Sequence, residues 1–371
     1  MTRETEIEAG GSRLRVWEED EPEGRDRALF WPCSGEYPIY DSFLYGIMVD
    51  DGPRNRLYEA AIAAACPGRT VVEIGTGAAA LWALACARAG AERVYAIESD
   101  ARAAEKARGC VAESGFGEVI EIVDGLSTAI DLPGRVDLCV SEIIGEIGGA
   151  EGAAVVLNDA RRRHLKAGGL MIPALCRTWG AGVCLPDELM VCPRFQSDGV
   201  PYLKAIFDHV GRPFDVRVAV ENHLGKIDRL TGRGEFECLD FGAGLVEQGG
   251  ERRLELEVER GGRLDGLALW IELSCEAGGE VLDVWGYLSN WIPVYFPLFY
   301  PGLAVEAGER IRVEMGTVLS DDGVHPDYCL TGEVCGADGE AREAFRLESP
   351  HHGTVFRGHP FYEKLMEVVS G

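Results

Sequence analysis

Nothing in this chain pairs cysteines in the way a metal centre or a disulfide framework needs. Its twelve cysteines never form a C-x-x-C pair. They are scattered through apolar segments, Cys86 in LWALACARAG and Cys139 in VDLCVSE, and read as reduced, buried thiols. The seven histidines give no ligand spacing either, with His351 and His352 in a loop-like C-terminal stretch, so no metal is expected. No apolar run approaches the roughly 20 residues of a bilayer span, which excludes a membrane protein of that kind. The opening MTRETEIEAG lacks the basic and apolar regions of a secretion leader, pointing to the cytoplasm. Positive charge is also scarce: 36 Lys and Arg against 62 Asp and Glu leave a net charge of −26. Such a surface repels a phosphate backbone, which excludes nucleic acid, and would steer a cationic ligand inward.

What is present is an ordered alternation. At 371 residues the chain exceeds one ordinary core, so two domains are expected. RNRLYEAAIAAAC (54–66) carries Leu57, Ala61, Ala64 and Ala65 at helical spacing before Pro67-Gly68 stops it. RTVVEIGTGAAALWALACARAG then reads as strand, glycine turn and helix. ERVYAIESD, VIEIVDG and VDLCVSEII read as further strands; ARAAEKARGCVAESG, closed by Gly115, and AVVLNDARRRHLKAGG read as helices. This is the pattern of a parallel, Rossmann-like α/β sheet. Beyond Pro173, short pieces such as RLELEVER, GLALWIELSC and RIRVEMGTV, punctuated by Gly, Pro and Asp, predict an antiparallel, barrel-like β domain. The division expected is 1–36 as an extension, 37–172 as the α/β domain and 173–371 as the β domain. The acidic run EEDEPEGRDR (18–27) reads as an exposed turn.

In VVEIGTGAA, Glu73, Gly75 and Gly77 lie at a strand-to-helix turn, where bare backbone and free N–H groups can approach a ligand. Glu98 ends the next strand, 21 residues past Gly77, where an acid can take both hydroxyls of a ribose; Asp124-Gly125 ends the strand after that. A dinucleotide enzyme would add a third glycine, and Ala78-Ala79-Ala80 stand there instead. Glu73, two residues before the first glycine, suits a cationic cofactor. The pattern resembles the E/D-x-G-x-G-x-G motif of class I S-adenosylmethionine methyltransferases, with Ala79 in place of the last glycine.

The stretch SEIIGEIGGAEG (141–152) sets Glu142, Glu146 and Glu151 in an apolar, glycine-rich loop. Glu142 follows the strand VDLCV, at the carboxyl end where ligands of parallel sheets bind. A loop doubling back at Gly145, Gly148 and Gly149 could set Glu142 and Glu151 around one point, where two like charges need a cation between them. A planar guanidinium, with five N–H donors, satisfies two carboxylates at once. Glu146 reads as an outward-turned loop acid.

Taken together, these motifs resemble those of the protein arginine methyltransferases, in texture closest to their monomethylating, tandem-domain branch. Glu142 and Glu151 match that family's pair of glutamates nine apart, and YGIMVDDGPRNRLY resembles its helix pattern Y-x-x-M-L-x-D-x-x-R-N-x-x-Y, with Tyr45, Met48, Asp51, Arg54, Asn55 and Tyr58 in register. The resemblance implies S-adenosylmethionine as cofactor, Arg54 on its carboxylate and Met48 in the transfer pocket. LSNWIPVYF occupies the place of the threonine-histidine-tryptophan loop, keeping Trp291 but placing Asn290 where histidine orients the helix aspartate, so Asn290 is expected to bond Asp51. Ile143 and Ile144 replace an aromatic residue and a methionine. Tyr37 and Tyr40 are candidates to cover the cofactor.

The resemblance also implies a homodimer formed through an arm. The segment 192–215 is the candidate, with Tyr202, Leu203, Ile206 and Phe207 at helical spacing. Three functions stay open: methylation of free arginine or another small guanidine, methylation of arginine in proteins, and a degenerate scaffold marked by Asn290 and Ala79. A nicotinamide oxidoreductase is disfavoured by the absent third glycine.

Overall fold

The computed structural model describes residues 2–20, 28–220, 225–286, 289–353 and 358–369. Five parallel strands form one sheet, in the order Ile120–Asp124, Arg93–Glu98, Thr70–Ile74, Val136–Ser141, Leu165–Ile172. The register Ile74↔Ile97, Ile74↔Ser141 and Glu98↔Asp124 brings the carboxyl ends of four strands level along one edge. The strands are nearly continuous apolar runs because helices cover the sheet; Val71, Val72, Val94, Ala96, Leu138 and Val140 are fully buried. Helix Gly52–Ala65 starts at Asp51, whose side chain caps the Arg54 amide. Helix Ala101–Ser114 is capped by Asp100 and closed by Gly115 at φ 80°. The α/β expectation is met.

The remaining strands are almost all antiparallel, in one large twelve-stranded sheet, a four-stranded sheet and a two-stranded ribbon. The chain enters the first of these from the α/β domain at Leu175–Cys184, just after the last parallel strand ends at Ile172. The N-terminal residues, expected as an extension, are part of it. Strands Arg3–Ala9, Ser12–Glu19 and Phe30–Pro32 lie in the same sheet as Val218–Val220, Val294–Pro297 and Gly266–Ser274, and Met366–Val368 pairs with Ser12–Glu19. Both ends of the chain therefore build the β layer.

That pairing corrects two expectations. The acidic run is not all exposed: Glu18 and Glu19 are buried, held by Arg3 and Arg194, while residues 21–27 of it lie outside the described residues. The segment expected as a projecting arm folds back on its own chain. Helix Val200–Val210 buries Leu203, Ile206 and Phe207 in a cluster with Leu14, Val16, Phe30 and Phe214, and buries Tyr202 against Trp31, so its apolar face is consumed internally. All twelve cysteines are free, and seven are buried.

Candidate active site

Above the carboxyl edge of the parallel sheet the chain builds two acidic stations. The first is the glycine turn. Gly75 and Gly77 adopt φ 80° and 63°, conformations that L side chains rarely take, and Ala80 at φ 48° is the sole non-glycine in that region among the described residues. Ala79 has no positive φ, which is why the missing third glycine is tolerated. Glu98 is tied to the turn: one carboxylate oxygen accepts the Gly77 N–H at 2.7 Å and the other the Asp100 N–H at 2.9 Å. The Gly125 amide donates to the Glu98 carbonyl at 2.8 Å, which brings Asp124-Gly125 to the same place. Glu73 is fully buried; Thr76 donates to its Oε2, its Oε1 has no partner, and burial raises its pKa to about 7.

These residues fit S-adenosylmethionine on their own geometry. The backbone is bare where a nucleoside must approach, Glu98 keeps unused lone pairs, and Glu73 offers one carboxyl oxygen without a partner. Tyr45 lies over the turn, its ring 3.3 Å from where a Gly77 side chain would begin, and 5.6 Å from the Tyr40 ring.

The second station is a cavity of about 680 Å³. Six carboxylates line it (Asp50, Asp51, Glu142, Glu146, Glu151 and Asp198), with no Lys, Arg or His among its described lining residues. Of the residues expected here, Met48, Asp51, Glu142, Glu151, Asn290 and Trp291 all border it. Trp291 is buried and donates its ring N–H to the Ile144 carbonyl at 2.6 Å, pinning the acidic loop from below. Burial raises the pKa of Glu142 to about 7, even with Arg54 opposing. Glu151 lies well above the usual carboxylate range, through burial and then the charges of Glu142, Glu146 and Glu36.

Arg54 links the stations. It is buried, and its Nη1 bonds Glu142 Oε2 at 2.8 Å. Nη2 donates to the Met48 carbonyl, Nε and Nη2 both reach Asn55 Oδ1, and the guanidinium sits 5.3 Å over Trp82. One N–H of Nη1 has no acceptor among the described residues.

Three arrangements differ from expectation. Asp51 is held by the Ser289 hydroxyl at 2.7 Å and by the backbone N–H of Asn290 at 3.0 Å, while the Asn290 side-chain oxygen is buried without a partner. Asp51 is thus oriented by the Ser289 hydroxyl and a backbone amide, not by the Asn290 side chain. Glu146 is not an outward loop acid but 9% exposed, with Oε2 unpartnered and burial raising its pKa to about 7. The glycines around it serve close packing: a side chain on Gly149 would start 2.6 Å from Glu237 Oε1, and one on Gly148 2.7 Å from Cys176 Sγ. A run of glycines within apolar residues was the available signal for a loop pressed flat against a strand. Tyr37 lies away from the turn, bonded to the His351 carbonyl and stacked on its ring. Tyr40 lines the acidic cavity and donates to the Gly35 carbonyl at 2.7 Å.

The N-terminal loop supplies a wall that sequence reasoning missed. Trp31, Ser34 and Gly35 border the cavity, and a side chain on Gly35 would start 2.3 Å from Glu151 Oε1. Further out, Asp322, His351 and His352 lie within reach of one another although no local spacing announces them. Their rings are already engaged, His351 with Glu36 at 3.2 Å and His352 with Asp321 at 2.6 Å.

No family model matches the chain. An arginine N(omega)-methyltransferase of Streptomyces achromogenes subsp. streptozoticus is 33% identical over 280 residues, 72% of this chain and 74% of that protein. Protein arginine N-methyltransferase PRMT10 of Arabidopsis thaliana is 36% identical over 116 residues, which span only 30% of its own length. Among solved structures, an open conformation of Arabidopsis protein arginine methyltransferase 10 superposes with a TM-score of 0.67, at 22% identity, over 85% of this chain and 99% of the other. A Trypanosoma brucei PRMT1 enzyme–prozyme heterotetrameric complex with AdoHcy superposes at 0.66, with 21% identity, over 82% of this chain and 98% of the other.

Proposed function

The chain belongs to the arginine N-methyltransferase family, and from that premise we propose that it methylates the guanidino group of free arginine or another small guanidine. S-Adenosylmethionine is the cofactor, and when bound it supplies an electrophilic methyl group on a sulfonium. The observation that carries the acceptor class is the cavity lined by six carboxylates and no described cationic side chain. A guanidinium is always protonated and planar, and it matches paired carboxylates.

The chain's own residues then act mainly by positioning. Glu142 has Oε2 committed to Arg54, which leaves its other oxygen for the acceptor. Glu151 has no cationic partner among the described residues, and it completes the clamp from the far end of the loop. Together they fix the guanidinium plane and stabilise the positive charge that grows on the attacking nitrogen. That nitrogen gains a carbon substituent and must lose one proton. A carboxylate whose pKa lies near 7, as for Glu142, can take that proton at neutral pH. Asp51, held by Ser289 and Asn290, and Met48 form the wall between the two stations.

The Streptomyces relative, of which the chain spans 74%, supports the small-molecule acceptor. The net charge of −26 favours a second reading, a basic peptide. Incubation with methyl-labelled cofactor and either L-arginine or an arginine-rich peptide separates them; label appearing in the peptide alone would reject the small-molecule reading. A homodimer and a cytoplasmic site belong to this proposal. Twelve free thiols support the latter, and sedimentation tests the former, a monomer at micromolar concentration refuting it.

A further inference from the structure

The clamp reading leaves charge unbalanced. Glu142, Glu146 and Glu151 border one cavity, and among the described residues the single cation bonded to any of them is Arg54, on Glu142. The nearby Arg217 lowers the Glu146 pKa through its charge but makes no bond to it: its ion pair is with Glu36, and four of its five N–H donors go to Glu36, both Ser349 oxygens and the Pro326 carbonyl. In their ionised state these three carboxylates against one guanidinium carry two excess negative charges, of which a clamped acceptor guanidinium cancels one. Glu146 is the carboxylate left over: 9% exposed, at the cavity wall, with Oε2 accepting nothing. An ionised carboxylate so buried is costly unless a cation reaches it.

We propose that the acceptor carries a second positive charge besides its guanidinium, an ammonium on the same small molecule, and that Glu146 is the subsite that receives it. This rests on the guanidine reading above and narrows it to aminoalkylguanidine dications, compounds bearing an alkylammonium a short chain away from the guanidine. Glu146 is then a specificity residue: it recognises the group that does not react. The loop geometry favours the role, since Glu146 is rigidly placed by glycines packed on Glu237 and Cys176.

A matched pair of acceptors tests it. Agmatine (4-aminobutylguanidine) and pentylguanidine differ only in an ammonium against a methyl at the far end. The wild-type enzyme should favour agmatine in kcat/KM by about 10–100-fold, the worth of a charged hydrogen bond in a buried site. Glu146→Gln should collapse that ratio to a few-fold, and Glu146→Asp should restore part of it, which a purely structural role for the side chain would not do. If the wild type uses both compounds equally, Glu146 merely keeps its proton and the second-cation subsite is refuted, with the guanidine reading intact. If neither these compounds nor L-arginine nor an arginine-rich peptide is methylated, the guanidine reading itself has failed and this inference falls with it.

Discussion

Glu98 and Glu151 stand at opposite ends of the same active-site region, and they are built differently. Glu98 has both oxygens tied by backbone N–H groups, at 2.7 and 2.9 Å, and fixes the turn above it. Glu151 has no cation among the described residues, is pressed by Gly35, and faces three other carboxyl groups that raise its pKa. One carboxylate is satisfied by the fold itself; the other is satisfied only by something that arrives. On the function proposed above, the difference separates a prebuilt cofactor platform from an acceptor cavity whose carboxylates are completed by the cation they receive, a preorganised arrangement of the kind electrostatic catalysis uses.

The sharpest way to break the comparison is at the acceptor end. Glu151→Gln and Glu142→Gln should each cut kcat about 10²–10³-fold while cofactor affinity is kept in the Glu151 variant, as for loss of one preorganised electrostatic contact. Glu142→Gln should be the worse, because it also strips Arg54 of its anionic partner. Single-turnover rates with labelled cofactor measure this, and near-normal turnover in both variants would remove the clamp. At the platform end, Glu98→Ala should weaken S-adenosylmethionine binding by about 1.5–3 kcal/mol, the cost of lost charged hydrogen bonds. Calorimetry returning wild-type affinity would take Glu98 out of the site.

Gly35→Ala probes how Glu151 is held. Its new methyl would start 2.3 Å from the Glu151 carboxylate, which is the movable end of a side chain, so the carboxylate yields rather than the backbone. Turnover should fall about tenfold, the scale of a displaced catalytic group, with the thermal midpoint little changed. A drop in the midpoint without a drop in kcat would make Gly35 a packing residue only.

The sequence made the platform legible because its signals are local. A glycine turn between strand and helix, and an acid at the end of the next strand, need only the parallel register to be brought together. The pair Glu142 and Glu151 was legible for the same reason, lying on one loop. What stayed hidden depends on contacts far apart in the chain. Strand Ser12–Glu19, hairpinned to Arg3–Ala9, finds its other partners some 350 and 180 residues away, at Met366–Val368 and Phe195–Gln196, so an N-terminal layer read as an extension. The helix Val200–Val210 had the amphipathic spacing of an arm, but spacing does not say whose apolar surface covers it. Ser289 was hidden behind its more conspicuous neighbour Asn290, whose backbone rather than side chain does the bonding.

The smallest expected effect concerns Glu146 and stability rather than rate. Burial raises its pKa to about 7 from the ordinary 4.5, so the folded protein holds a proton there that the unfolded chain gives up. That preference contributes stability fully below pH 4.5 and is lost as pH rises through 7. Glutamine at this position cannot titrate. The stability of Glu146→Gln relative to wild type should therefore increase between pH 5 and pH 8, by on the order of 1 kcal/mol. Taking the difference between the two proteins removes the opposite contribution of His164, His325 and His359, whose pKa values burial lowers. Saturating agmatine should erase much of the gain at pH 8, because its ammonium gives the ionised Glu146 the partner it lacks. Urea denaturation at several pH values, with and without agmatine, measures both effects. A difference that stays flat with pH would mean that Glu146 is ionised throughout and already compensated, and the acceptor cavity would then be as self-satisfied as the cofactor platform.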